Sequence, residues 1–190
     1  LSKHKVYIYL FEIIFKISYN LLKEGIKLNN IINNNQLKTR AKKDLNDNWL
    51  TSILLLVTSG VIPIIIIQIP YLGGIINSFI AGPLLLGVAG CFLNLIRCQE
   101  FRVENLFNGF SNFKSAFMAN LLRGLFIFLW SLLLVIPGII AQYNYSMTFY
   151  ILNDNPQLSG KEAIAKSKDL MDGHKIDLLF LQFSFAGWPF

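Results

Sequence analysis

Two uncharged apolar stretches, residues 49–69 and 74–96, constrain this chain more than any other feature. A helix rises about 1.5 Å per residue and the hydrocarbon core of a bilayer is about 30 Å thick, so roughly 20 apolar residues cross it. Each stretch therefore predicts a membrane-spanning helix. Trp49 at one end of the first, and Tyr71 just beyond the other, fall where amphipathic rings favour the headgroup level. Pro63 lies inside the first stretch, removes one backbone hydrogen bond and is expected to kink it. Pro70-Tyr71-Leu72-Gly73 predicts a tight, charge-free turn between the two.

Composition points the same way. Only 15% of the 190 residues are charged, against about 25% in a soluble domain, which leaves too little polar surface to cover a globule. The net charge of +6 would also suit a nucleic-acid binder. Here, however, the basic residues gather in segments between apolar stretches instead of on one face of a soluble scaffold. The partner expected is the lipid bilayer, and no nucleic acid. Cys91 and Cys98 share a helix face about 10 Å apart along its axis, beyond disulfide reach, and read as packing residues.

The fold class expected is all-α: a polytopic transmembrane helical bundle with interfacial amphipathic helices. Residues 1–36 read as an N-terminal extension, surface-lying or disordered. Their short apolar run is interrupted by Glu12, and an Asn-rich linker follows. Residues 37–190 read as the helical membrane domain, entered through the basic segment 37–48. Within the second stretch, Gly74, Ser78 and Gly82, then Gly87 and Cys91, recur every four residues. Small residues at that spacing admit a neighbouring helix closely. Packing within the chain is favoured over dimerisation, because the chain has other spans to pack.

Residues 97–120 carry Arg97, Arg102 and Lys114, with Leu106, Phe107, Phe110, Phe113 and Phe117 at helical spacing. They predict an amphipathic helix lying in the interface. Residues 121–152 are apolar and interrupted at Pro137-Gly138, predicting a broken helix or a hairpin. Arg123 stands at their start, where a long side chain snorkels to the headgroups.

Residues 153–175 form a polar connection. Ser159 and Glu162 have capping-box spacing, with Leu158 and Ala163 placed as a hydrophobic staple. Ala163, Ile164, Ser167, Leu170 and Met171 make one apolar face, and Gly173 is placed to end the helix in the left-handed conformation. Residues 176–190 start a further span that stops short of the required length, so the chain end reads as a truncation.

No catalytic, cofactor-binding or metal-binding constellation emerges. His4 and His174 have no companion at metal-ligand spacing, and His174 reads as a cap at a helix C-terminus. Asp154, Glu162 and Asp169 read as solvated or cap-related groups, not a paired acid and base. The candidate polar locus is the helix break: Pro137, Gly138, Gln142, Asn144 and Ser146, where unwound backbone at membrane depth needs polar company.

RAKKDLNDNW (40–49), LFNGFSNF (106–113), LWSLLLVIPGIIAQYNYSMTFYILNDNP (129–156), EAIAKSKDLMDGHK (162–175) and QFSFAGW (182–188) resemble a family of uncharacterised bacterial integral membrane proteins, domain of unknown function nine-seven-five. The resemblance covers about residues 37–188 in order. It implies a multi-span fold of about six helices, of which this chain keeps the earlier part, and it implies no activity. The expected function is non-enzymatic, with no cofactor, through helix packing, lipid or partner contacts in the bacterial cytoplasmic membrane. The alternative is a small-solute or lipid transporter built on the broken helix around Pro137-Gly138.

Counting basic residues gives an orientation. Segments 37–48, 97–123 and 153–175 each carry four Lys or Arg and the turn at 70–73 none, so all three segments are expected on the cytoplasmic side. Residues 121–152 must then cross an even number of times. A hairpin folded at Pro137-Gly138 satisfies this, whereas one kinked helix would place residues 153–175 outside.

Overall fold

The computed structural model describes residues 48–97 and 99–186, with the backbone alone over 181–186. Residues 1–36, expected to be an N-terminal extension, residues 37–47 of the basic segment, Cys98 and residues 187–190 lie outside the described residues. The described residues are all-α, without strand. In chain order they form α1 (Trp49–Ile67), α2 (Gly73–Ile96), a 3-10 helix (Val103–Asn112), α3 (Phe113–Leu133), α4 (Val135–Asn144), α5 (Thr148–Asp154), α6 (Gly160–Leu170) and α7 (Lys175–Ala186). Three stretches are long and apolar enough to cross a membrane: Trp49–Ile67, Gly73–Ile96 and Val103–Leu133.

α1 runs unbroken through Pro63 and ends at Ile67; α2 begins at Gly73. The link between them is tight. Leu72 N–H donates to Pro70 C=O at 2.8 Å across Tyr71, whose φ of 65° is the one positive value at a non-glycine among the described residues. A side chain at Gly73 would run into the Ile66 carbonyl, so glycine lets the two helices start this close together.

The segment after α2 departs from expectation. Residues 97–120 are not one interfacial helix. The chain doubles back, and the 3-10 helix climbs α2 in the opposite direction. Cys91 Sγ donates to the Arg102 carbonyl at 3.8 Å. Further along, Gly87 faces the Leu106 carbonyl, and Gly109 faces the Pro83 carbonyl, so closely that a Cβ at either glycine would overlap backbone. Leu106 is fully buried by this approach. The Phe row continues the contact: Phe117 stacks on Phe79 of α2 at 4.7 Å and on Phe113 at 6.1 Å. The small-residue stripe thus divides. Gly82, Gly87 and Cys91 pack within the chain, against Ala116, Leu106 and Arg102, while Gly74 and Ser78 face outward.

The core lies at this end of the molecule. Leu55 of α1, Phe92 of α2, Leu106, Leu152 of α5, and Met171 and Leu178 around the start of α7 are all essentially inaccessible. α1 and the far half of α3 leave large apolar residues exposed along their length. An uncharged helix surface of that extent matches lipid better than water.

α3 begins at Phe113, eight residues before the expected 121 (121 − 113 = 8). Arg123 therefore lies at the middle of α3, not at a helix start. The expected break at Pro137-Gly138 is also displaced. α3 ends at Leu133; Leu134, with φ −162° and ψ 146°, is extended, and α4 starts immediately after it. Pro137 is the third residue of α4, where a missing N–H costs nothing because the first-turn donors have no partner in the helix. α4 folds back on α3: Gly138 is pressed against Ser131, Tyr145 meets Phe126 with ring centroids 5.9 Å apart, and Phe149 lies under Arg123. These pairs advance in opposite directions along the chain, the mark of an antiparallel hairpin.

A second interruption, at residues 145–147 between α4 and α5, contains neither glycine nor proline. α6 has the local grammar expected of it. Ser159 N–H donates to Glu162 Oε2 at 2.8 Å, and Glu162 N–H donates to Ser159 Oγ at 3.3 Å, a complete capping box. Leu158 and Ala163 both join the core, and Gly173 has φ 78°. Ser159→Ala is expected to destabilise α6 by about 0.5–2 kcal/mol, read as faster amide exchange through Ala163–Leu170.

The Glu162 carboxyl is held below the usual glutamate value of 4.5, first by the Ser159 N–H and then by its hydroxyl. A depressed carboxylate contributes stability above its unfolded value and loses it as pH falls through the folded one. The α6 N-terminus should accordingly loosen below pH 4.5 in the native chain and lose that acid dependence in Glu162→Gln.

Candidate functional site

The polar residues of the hairpin do not converge at one break. Pro137 is half-buried in the first turn of α4, Gly138 is buried against Ser131 near the apex, and Gln142 is exposed on α4. Asn144, the last residue of α4, and Ser146 lie instead at the second interruption, which Asn144 meets six residues beyond Gly138 (144 − 138 = 6). Ser146 Oγ donates to the Tyr143 carbonyl at 2.7 Å, and Thr148 Oγ1 to that of Tyr145 at 2.8 Å, so local hydroxyls take up carbonyls the helix leaves free. The Asn144 side-chain oxygen is buried and has no hydrogen-bond partner among the described residues.

The residue that closes this interruption comes from α6. Ser167 is fully buried; its hydroxyl accepts from the Met147 N–H at 3.2 Å and donates to the Asn144 carbonyl at 2.8 Å. In the sequence it is one small residue on an amphipathic face, with nothing to mark it as a backbone partner.

A second polar cluster ties the hairpin to α2. Arg97, at the end of α2, pairs with Asp154 at 2.7 Å, and the Asp154 side chain is 4% exposed. Asp154 is thus neither solvated nor a helix cap, contrary to its sequence reading. Its neighbour Asn153 donates to the Leu86 carbonyl at 2.8 Å and to Phe149 at 3.0 Å, while Asn112 donates to the Pro156 carbonyl at 2.8 Å. Residues 97–115 and 153–160 consequently meet at one end of the molecule, so the chain leaves through α3 and returns through α5 to where it began.

His174 also departs from its reading. It precedes α7, with Nδ1 3.5 Å from the Asp177 carboxylate, instead of capping the carbonyls of α6. Among the described residues no group of three or more His, Cys, Asp or Glu is placed to hold a metal ion.

A family model for proteins of unknown function, DUF975, matches residues 31–137 and 131–190. The chain belongs to the DUF975 family. The match begins at residue 31, ahead of the 37 suggested by the quoted motifs, and its two parts overlap at the apex of the hairpin. No curated protein and no solved structure matched. DUF975 membership therefore assigns no chemistry to the hairpin base, and its geometry has to speak for itself. It joins backbone to backbone through Ser167, helix to helix through Arg97 and Asp154, and presents one cation, Arg123, against an aromatic ring.

Proposed function

We propose that this chain is a multi-pass protein of the bacterial cytoplasmic membrane that acts without catalysis, through helix packing and contacts with lipid or protein partners. The observation that carries the reading is the segregation of its surface. Charged and polar residues of 97–114 and 153–175 gather at one end, while the exposed apolar residues of α1 and of the α3/α4 hairpin extend away from it. Basic segments of multi-pass proteins lie on the cytoplasmic side, and a hairpin that returns to its origin keeps both of these there. A small-solute or lipid transporter is the second reading. It is favoured by the buried Asn144 oxygen, which has no partner among the described residues, beside an unwound stretch, although Ser167 already satisfies the backbone on either side.

The topology is tested with Lys168→Cys after removal of Cys91 and Cys98. An impermeant maleimide added to intact cells is expected to leave position 168 unmodified; efficient labelling there would restore a single crossing through residues 121–152. Solute or lipid flux through reconstituted vesicles, abolished by Asn144→Ala, would move the second reading ahead of the first.

A further inference from the structure

The far part of the α3/α4 hairpin is a poorly covered apolar surface: its exposed large apolar residues from Phe128 to Ile140 are 46–74% exposed. α6 crosses the base of this hairpin, not its apex. Gly160 lies against Ser115 and Ala119 of α3, and Ser167 reaches Asn144 and Met147 on the returning arm. The opposite face of α6 exposes Lys161, Glu162, Lys166, Lys168 and Asp169, which hydrocarbon would not accommodate. The charged face of α6 therefore marks how far water reaches on this side of α3. At that level the ring of Phe126 meets Tyr145.

From Phe126 to the apex at Leu134 the helix rises about 12 Å. Half of the hydrocarbon core is about 15 Å. From that level the hairpin's apex stops about 3 Å short of the bilayer midplane and far short of the opposite surface. Its apex is made for that depth as far as a chain reversal can be. Pro137 removes one N–H that the start of α4 would otherwise leave unpaired, and Gly138 brings the arms into contact at Ser131.

Arg123 stands one turn before Phe126. Arg123 as a residue is half-buried, with its guanidinium carbon 5.7 Å from the centroid of the Phe149 ring, and no ion pair to it is found among the described residues. A permanent cation beside an aromatic ring, without an ion-pair partner among the described residues, matches the phosphate layer of a lipid leaflet.

We infer that the α3/α4 hairpin is a single-leaflet insertion: its apex stops near the midplane, and Arg123 with the lysines of α6 meets the headgroups of anionic lipid in the leaflet it enters. The inference rests on the membrane reading above and specifies its lipid partner and depth.

Two measurements on the full chain in vesicles of phosphatidylcholine with phosphatidylglycerol test it. In the first, Val135→Cys in a Cys91→Ala, Cys98→Ala background carries an environment-sensitive fluorophore. The probe is expected to be shielded from aqueous iodide on both sides, and quenched several-fold more by lipid spin-labelled deep in the acyl chain than near the headgroup. Modification of Val135→Cys from the face opposite Lys168 would show a full crossing. Access from the same face as Lys168, or shielding from both water and lipid labels, would show a hairpin that water or protein covers. Each of these outcomes overturns the insertion while leaving the location of position 168, and so the multi-pass reading, to stand or fall by its own labelling.

The second measurement needs no cysteine change. With Trp49→Phe and Trp188→Phe, Trp130 is the only tryptophan. Brominated phosphatidylglycerol is expected to quench it about twofold more than brominated phosphatidylcholine at equal mole fraction. Arg123→Gln should remove that preference and Arg123→Lys should keep most of it. Equal quenching by the two lipids in the parent, or a preference unmoved by Arg123→Gln, overturns the anionic-headgroup assignment.

Discussion

Gly87→Ala is expected to unfold the packing of the 3-10 helix on α2, even though alanine is the better helix former. In an exposed helix the exchange of glycine for alanine gains about 1 kcal/mol. Here the added methyl would occupy the position of the Leu106 carbonyl oxygen, a backbone atom that cannot rotate aside. Gly109 is pinned on the other side by the Pro83 carbonyl and the Gly87 nitrogen, so the two backbones can only part. Parting them opens the burial of Leu106 and Phe92. Overpacking alone costs about 1–3 kcal/mol, and the lost core contacts put the net destabilisation at about 3 kcal/mol or more.

Gly124→Ala provides the internal contrast. Nothing lies within 4 Å of a Cβ at position 124, so the same exchange on α3 should be neutral or stabilising by about 1 kcal/mol. In one detergent the thermal unfolding temperature should fall for Gly87→Ala and stay level or rise for Gly124→Ala. A Gly87→Ala protein as stable as the parent would show that the segment after α2 does not seat on it as closely as described.

What the sequence made legible, and what it hid, follows from the range of the forces involved. α1 and α2 are legible because a bilayer demands an unbroken apolar run, and residues 49–69 and 74–96 supply it with no competing pattern. The capping box at Ser159 and Glu162 is legible because both partners lie three residues apart, and Gly173 because a positive φ has few tenants. Pro137 misplaced the break. Proline is disruptive inside a helix and harmless in its first turn, and only the fold shows that the turn begins at Val135. Arg123 was misplaced for a related reason. The apolar density rises at residue 121, but the helix carrying it starts at Phe113, where α3 packs its small residues Ala116 and Ala119 on neighbours.

The candidate site was legible only in part. Asn144 and Ser146 do border unwound backbone, but at the second interruption, which has no glycine or proline to announce it. That interruption is bridged by Ser167, 20 residues beyond Met147 in the chain. The Arg97–Asp154 pair is longer in range still. A single sequence offers no way to tell such partners from the other polar residues of a solvated connection.

Ser167→Ala is accordingly expected to have the second large effect. The hydroxyl has one donor and two acceptor sites, and here it closes both sides of the interruption, accepting from Met147 N–H and donating to the Asn144 carbonyl. Alanine leaves a buried N–H and a buried carbonyl without that partner. Each unsatisfied buried group costs about 1–3 kcal/mol, so the expected loss is about 2–5 kcal/mol, against a helix-propensity gain for alanine of only about 0.5 kcal/mol in α6. Because Ser159→Ala acts at the other end of the same helix, the two variants separate cap from clasp. Ser159→Ala should raise exchange at the α6 N-terminus and leave Met147 protected. Ser167→Ala should raise exchange at the Met147 amide by roughly 30-fold or more, since every 1.4 kcal/mol is about tenfold. Unchanged protection of Met147 in Ser167→Ala would mean that the break between α4 and α5 is held by something other than α6.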